Sequence, residues 1–181
     1  LSLPDKPSIA VLPFQNLSGD PEQEYFADGM VEDIITGLSR IKWLFVIARN
    51  STFTYKGRAV DVKQVGRELG VRYVLEGSLR KAGNRIRLTT QLIEADSGAH
   101  VFAERYDRDL ADIFAVQDEI TEAVTTAIAP AIAGAEQQRA MRKAPASLDA
   151  WGALQRGLWH LGKATTEDDT AARGYFERAI A

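Results

Sequence analysis

VRYVLEGSLRKAGNRIRLTTQLIEADSGAHVFAERYD, residues 71–107, is the stretch whose reading decides the fold. In its middle Ile86, Leu88, Thr90 and Leu92 alternate with Arg85, Arg87, Thr89 and Gln91. Successive side chains of a strand point to opposite faces, so a period of two predicts a sheet packed on one face and wet on the other. Gly83-Asn84 predicts a tight hairpin turn, because both residues tolerate positive φ. Asp96-Ser97-Gly98 predicts a second turn, after which Val101, Phe102 and Tyr106 run on into a third strand. The stretch therefore reads as an antiparallel meander whose buried face needs helices to cover it.

The flanking sequence supplies them. Residues 8–14, SIAVLPF, are a short continuous apolar run, the mark of a strand buried on both faces. Residues 15–20, QNLSGD, read as a loop of turn formers. Asp20 at N-cap, Pro21 at N1 and Gln23 at N3 then open a helix over 21–41, with Ala27, Met30, Val31, Ile34, Leu38 and Ile41 on one stripe. Residues 43–48, WLFVIA, predict a second apolar strand, and the polar and aromatic run 49–57 a loop. Asp61 with Gln64 opens a shorter helix that turns Val62, Val65 and Leu69 inward and stops at Gly70, a left-handed C′ residue. After the meander, Asp109 or Asp112 caps a long helix with the stripe Ile113, Val116, Ile120, Val124, Ala127, Ile128 and Ala131. Pro130 predicts a kink or break near Ala129, and 137–143 a polar helix or tether. The order β-α-β-α-β-β-β-α predicts an α/β (α+β) domain with a mixed β-sheet of about five strands, over residues 8–143 and after a linker at 1–7.

Residues 147–181 have another character. Ser147 is placed to cap a helix carrying Trp151, Leu154, Leu158 and Leu161, and residues 165–169 form a polar loop. A second helix, 171–181, turns Ala172, Phe176, Ala179 and Ile180 inward. The spacing Ala172-x3-Phe176-x2-Ala179 matches the second-helix half of a tetratricopeptide repeat, and Trp151-x2-Leu154 suits the first helix. The hairpin is expected to bind protein partners, and its bare apolar face to support a homodimer.

With 181 residues, 45% of them hydrophobic and 26% charged, the composition is that of an ordinary globular protein. No apolar run approaches the roughly 20 residues of a membrane span, and no basic segment precedes an apolar core at the start. The expectation is a cytoplasmic protein without a membrane partner. Because the chain opens at Leu1 and stops inside a helical pattern, it reads as a fragment. The absence of cysteine excludes disulfides, thiolate chemistry and Cys-ligated metals. A net charge of −3 argues against a nucleic-acid partner. Arg72, Arg80, Lys81, Arg85 and Arg87 nevertheless gather on the first hairpin, either as the solvated outer face of the sheet or as a surface for an anion.

Catalytic patterns are sparse. His100 and His160 lie far apart with no second ligand at metal spacing, and Glu32 and Asp33 are neighbours on a helix that diverge. Asp107, Asp109 and Asp112 lack the glycine and closing glutamate of a calcium loop. Neither a cofactor nor a metal is expected. Asn16 and Ser18 lie in the loop before the first helix, where an anion could be held, although a carboxylate at Asp20 competes for the same amides. If the first two strands are parallel, Arg49, Asn50, Tyr55 and Lys56 fall at the same sheet edge. This cluster is the candidate surface for a ligand or partner.

The motifs Val11-Leu12-Pro13-Phe14, Asn16-x-Ser18-Gly19-Asp20 and Phe26-Ala27-Asp28-Gly29 resemble the domain similar to the N-terminal domain of TolB. So do Arg49-Asn50-Ser51-x-Phe53, Tyr73-Val74-Leu75-Glu76-Gly77-Ser78 and Asp112-Ile113-Phe114-x-x-Gln117. The resemblance covers residues 7–143. It implies a non-catalytic module placed between a class III adenylate/guanylate cyclase domain, or a DNA-binding domain, and tetratricopeptide repeats. The overall wording looks most like the cyclase arrangement, with the catalytic domain upstream of Leu1. No functional residue carries over, because the matched positions are turns, caps and core. TolB itself is periplasmic, so the resemblance leaves that compartment open. The other expectation is a small-ligand sensor using the loops after the first two strands.

Overall fold

The computed structural model describes residues 6–181, so most of the linker expected at 1–7 lies outside the described residues. The chain divides into two compact units, Pro7–Ala129 and Pro130–Ala181.

The first unit is built on one mixed sheet of six strands in the order β3-β1-β4-β5-β6, with β2 beside β4. β1 (Ser8–Val11) runs parallel to both β3 (Phe45–Val46) and β4 (Tyr73–Ala82), and all its residues are buried, as its unbroken apolar run requires. β2 (Gln15–Asn16) was expected as loop, but it continues β1 along the same partner. Val11 pairs with Leu75 and Gln15 with Ser78, so four steps on one strand face three on the other. The extra residue is a bulge at Leu12-Pro13-Phe14, a place where a proline without an N–H does no harm.

β4, β5 (Arg85–Glu94) and β6 (Ala99–Asp109) form the expected meander. Ile86, Leu88, Thr90 and Leu92 are fully buried, while Arg85 and Arg87 are exposed. Of the first turn's two residues only Gly83 takes a positive φ, 59°. β6 ends the sheet order, so its outer edge has no strand partner among the described residues.

Two long helices cover the face that carries Leu88. α1 (Glu22–Ser39) buries Phe26, Ala27, Met30, Val31, Ile34, Ile35 and Leu38. Its start is held by Asp20, whose Oδ1 accepts from the Glu22 amide at 3.0 Å. α4 (Ile113–Arg142) buries Val116, Ile120, Val124 and Ile128 within this unit, whereas Ile113, expected inward, is 44% exposed. Its cap is Asp112, which accepts from the amides of Phe114 and Ala115. The two helices are tied by Gln117, whose side-chain amide donates to Asp33. Pro130 does not break α4. Both Pro130 and Thr126, whose carbonyl loses its partner, lie on the exposed side, where water replaces the missing bond.

The opposite face is covered only in part. α3 (Val62–Leu69) starts at Asp61 and ends at Gly70 as the sequence predicts, and packs Val65 with Ala10, Leu12, Tyr55, Val71, Val74 and Ala95. The expected loop 49–57 is instead helical, as α2 (Arg49–Thr52) and a 3-10 turn, Phe53–Tyr55. The hydroxyls of Thr52 and Thr54 donate to carbonyls three residues back and steady these short turns.

The second unit contains the end of α4, a 3-10 turn at Pro145–Ser147, α5 (Ala150–Leu161) and α6 (Thr166–Ile180). The cap of α5 is Asp149, not Ser147, and α6 begins at Thr166, the second residue of the expected loop, after its cap Thr165. Small residues set this packing. The Phe176 ring lies where a Cβ on Gly157 would stand, and Gly152, Ala153 and Ala172 are buried. Ile180, expected inward, is exposed, as are Leu158 and Leu161 of α5. Arg156 is buried and donates through Nη2 to the carbonyls of Ala140, Met141 and Lys143 at 2.9–3.0 Å. Arg178 reaches the carbonyls of Pro145, Ala146 and Leu148. These two guanidinium groups satisfy the carbonyls that the end of α4 and the turn after it leave free.

Candidate functional site

α3 and Tyr55 cover the open face of the sheet only as far as Val74. Beyond them lies a cleft of about 740 Å³. Its floor is the face of β4 and β5 that carries Glu76, Ser78, Thr89 and Gln91, where Glu76 pairs in register with Gln91 and Ser78 with Thr89. One wall is the bulged segment from Leu12 to Leu17, and the other runs from Tyr55 to Val60. The bulge wall is fixed by Phe14, whose ring lies directly against Gly77. A Cβ at Gly77 would stand 2.6 Å from the Phe14 ring, so only glycine allows the approach.

Three of the six residues singled out from the sequence, Asn16, Tyr55 and Lys56, line this cleft. Asn16 is largely occupied within its own turn. Its side-chain amide donates to the Asp20 carbonyl at 2.8 Å, and its Oδ1 accepts from the Ser18 amide at 3.0 Å. Ser18 is thereby tied to Asn16 and does not line the cleft. Backbone bonding from Glu22 holds the Asp20 carboxyl below the usual range, helped by Gln23 and Lys81. Arg49 and Asn50 belong to α2, away from the lining. The Arg49 guanidinium lies over the Phe53 ring at 3.7 Å and 3.6 Å from Glu32.

Tyr55 is buried and donates to Glu68 at 2.5 Å. Burial and this carboxylate together push its phenol up to about 12. Burial pulls the Lys56 ammonium down, but bonds to Asp28 and Glu24 outweigh it and hold the group above its ordinary value. Lys56 is thus a strut between the wall and α1.

Glu76 was not singled out by the sequence reading. It sits on the floor, half-buried, and burial pushes its carboxyl up, opposed only by the field of His100. Among the described residues no side chain hydrogen-bonds to it or forms an ion pair with it. The signal that could have found it is a lone acid inside the otherwise small and apolar motif Tyr73-Val74-Leu75-Glu76-Gly77-Ser78. The basic residues of the hairpin are largely engaged. Arg87 binds both oxygens of Asp107, Arg105 and Arg85 lie 3.6 and 4.0 Å from it, and Lys81 is 3.6 Å from Asp20. No group of three His, Asp or Glu side chains among the described residues is placed to hold a metal ion. No described helix is long and apolar enough to cross a membrane.

Residues 5–123 match the family described as the HilA/YgeH-like transcriptional regulator, second domain. The chain belongs to this family. A second comparison gives 57% identity over 154 residues with a Rhizobium meliloti (strain 1021) protein named "Putative adenylate cyclase 3". That match takes in 85% of this chain but 26% of the relative, so the chain spans about a quarter of the protein it resembles. In fold, this HilA/YgeH-like domain is similar to lipoprotein GNA1162 from Neisseria meningitidis. The TM-score is 0.51 at 20% identity, covering 67% of this chain and 96% of that one. TolB from Acinetobacter baumannii is also a structural neighbour, with TM-score 0.49 and 17% identity over 70% of this chain and 29% of that one.

Proposed function

We propose that the chain is a regulatory and protein-interaction module, without catalytic activity of its own, in a longer bacterial signalling protein whose effector is an adenylate or guanylate cyclase. The observation that carries this reading is the 57% identity to a relative named for adenylate cyclase, of which the module is only 26%. A cyclase domain then lies in the remainder of such a protein, and the module acts on it from the cytoplasmic side. The helical hairpin of α5 and α6 is the start of a tetratricopeptide array. Leu158, Leu161 and Ile180, at 41%, 50% and 86% exposure, supply the apolar face on which a following repeat or a protein partner docks. A second reading, from the family description, places the same module behind a DNA-binding domain in a transcriptional regulator.

The test uses the longer parent protein and the 181-residue chain side by side. The chain alone, given ATP or GTP with magnesium or manganese, should form no cyclic nucleotide above a boiled control. The parent should form it, and replacing this module by a flexible linker should change the rate without abolishing turnover. Turnover by the chain alone would refute the assignment. A parent that binds promoter DNA and makes no cyclic nucleotide would establish the second reading instead.

A further inference from the structure

Glu76 is a half-buried acid on the cleft floor to which no side chain among the described residues is bonded. A half-buried carboxylate without a partner costs stability, and proteins retain such groups where something else uses them. Its surroundings say what. On the same face stand Gln91, Thr89 and Ser78, each able to donate or accept a hydrogen bond. Leu12, Pro13 and Val60 add apolar wall on either side. The nearest ammonium group of the wall, Lys56, is already held by Asp28 and Glu24 and is not free to swing in.

We propose that the cleft binds a small organic cation, an ammonium or guanidinium group on a short apolar stem, with Glu76 as its counter-ion. The carboxylate at the floor repels anions. The other acid of the lining, Glu24, is held by Lys56, and no group of three acids or histidines among the described residues is placed for a metal ion. The polar floor is two register pairs long and is closed by a wall at each side, a shape for a small molecule rather than an extended peptide. A volume of about 740 Å³ lies within the roughly 300–1,000 Å³ usual for such ligands. Gln91 and Thr89 offer oxygens to the remaining N–H groups, and the stem lies along Pro13 and Val60. The inference concerns this chain alone and does not depend on the effector of the parent protein.

Of the charged groups, His100 from β6 acts on the Glu76 carboxyl, while Lys56 and Arg58 from the wall and Glu24 from α1 share the cleft lining. Protonating Glu76 removes the counter-ion, so binding weakens as pH falls through its raised pKa.

The experiment titrates the 181-residue chain with n-pentylamine, n-pentanol and pentanoate and follows backbone amide shifts by NMR. The amine should shift the amides of Glu76, Ser78 and Gln91 saturably, with a Kd of about 1 mM or tighter. Pentanol and pentanoate should leave these amides unmoved. Glu76→Gln should weaken the amine at least tenfold while still folding and melting cooperatively, and Glu104→Gln on the edge strand should change nothing. Equal binding of amine and alcohol, or full affinity in Glu76→Gln, would overturn the proposal. Tighter binding of an acetyl-Gly-Lys-Gly-amide peptide than of pentylamine would also overturn it, in favour of a peptide site.

Discussion

Gly77→Ala tests the construction of the cleft wall. The new methyl group would stand 2.6, 2.7 and 2.9 Å from three carbons of the Phe14 ring, well inside van der Waals contact. The ring is 2% exposed, so it has little room to swing aside. Overpacking of this kind costs about 1–3 kcal/mol. Alanine recovers about 0.5–1 kcal/mol, because glycine in a strand interior loses more conformational freedom on folding. The net loss should therefore be about 0–2.5 kcal/mol, or up to roughly 10 °C in Tm at about 2–4 °C per kcal/mol for a chain of this size. Phe14→Ala alone should cost more, about 3–5 kcal/mol, by emptying a buried ring site. Adding Gly77→Ala to Phe14→Ala should cost nothing or stabilise slightly, since the obstacle is gone. Urea denaturation of the wild type, the two single variants and the double variant closes the cycle. A coupling of about 0.5–3 kcal/mol between the positions is expected. Additive effects in the double variant would refute the close approach of ring and strand.

Other consequences are as direct. Glu76→Gln should raise Tm at pH 7. Burial lifts the folded-state pKa of Glu76 above its unfolded value, so the stability linked to its proton is present at low pH and lost as pH rises through that pKa. The advantage of Gln should therefore shrink in melts toward about pH 4, where the unfolded carboxyl also protonates. Leu88→Asp should cost several kcal/mol, on the order of 4, by burying an unpaired charge, and lead to aggregation, while Arg87→Gln on the wet face should leave the melt nearly unmoved. Equal losses from both would mean that the strand is covered on both sides. Arg156→Met should cost about 3 kcal/mol by orphaning the carbonyls of Ala140, Met141 and Lys143, and hydrogen exchange should speed up in α5 and α6 first. Light scattering at about 100 μM should show self-association of the whole chain and its loss in Leu161→Glu with Ile180→Glu, a concentration at which an interface of roughly −6 kcal/mol is visible. A monomer in both would remove the apolar face of the hairpin as an interface.

The meander was legible because one face is buried and the other wet, and that contrast writes itself into alternate residues from Arg85 to Leu92. Asp61, Gly70 and Asp112 were legible as well, since a helix end needs a particular local chemistry whatever surrounds it. The turns at 49–55 were not. Ser, Thr and aromatic residues have little helix propensity, and what holds them is the burial of Tyr55 and its bond to Glu68, a contact thirteen residues away. Leucines misled the reading of the C-terminal hairpin. They mark a helix, but α5 meets α6 through Gly157 and Ala153, where the Phe176 ring and small side chains allow close approach. Half of the candidate surface, Asn16, Tyr55 and Lys56, came together because parallel strands bring their following loops to one edge. Glu76 escaped because a carboxylate in a strand reads as a solvated position. Its seclusion depends on where α3 stops, and no local pattern records that.

The free edge of β6 governs what else can join this sheet. Eleven residues with one unpaired row of amides and carbonyls would ordinarily be a template for any sticky strand in a crowded solution. Here Glu104, Arg105, Asp107, Arg108 and Asp109 occupy five of its last six positions. Along residues 104–109 an incoming strand must either strip water from charges at nearly every step or carry charges of the opposite order. That half of the edge therefore works as a password, costly for an apolar strand and open at lower cost to a segment whose acids and bases fall in the complementary sequence.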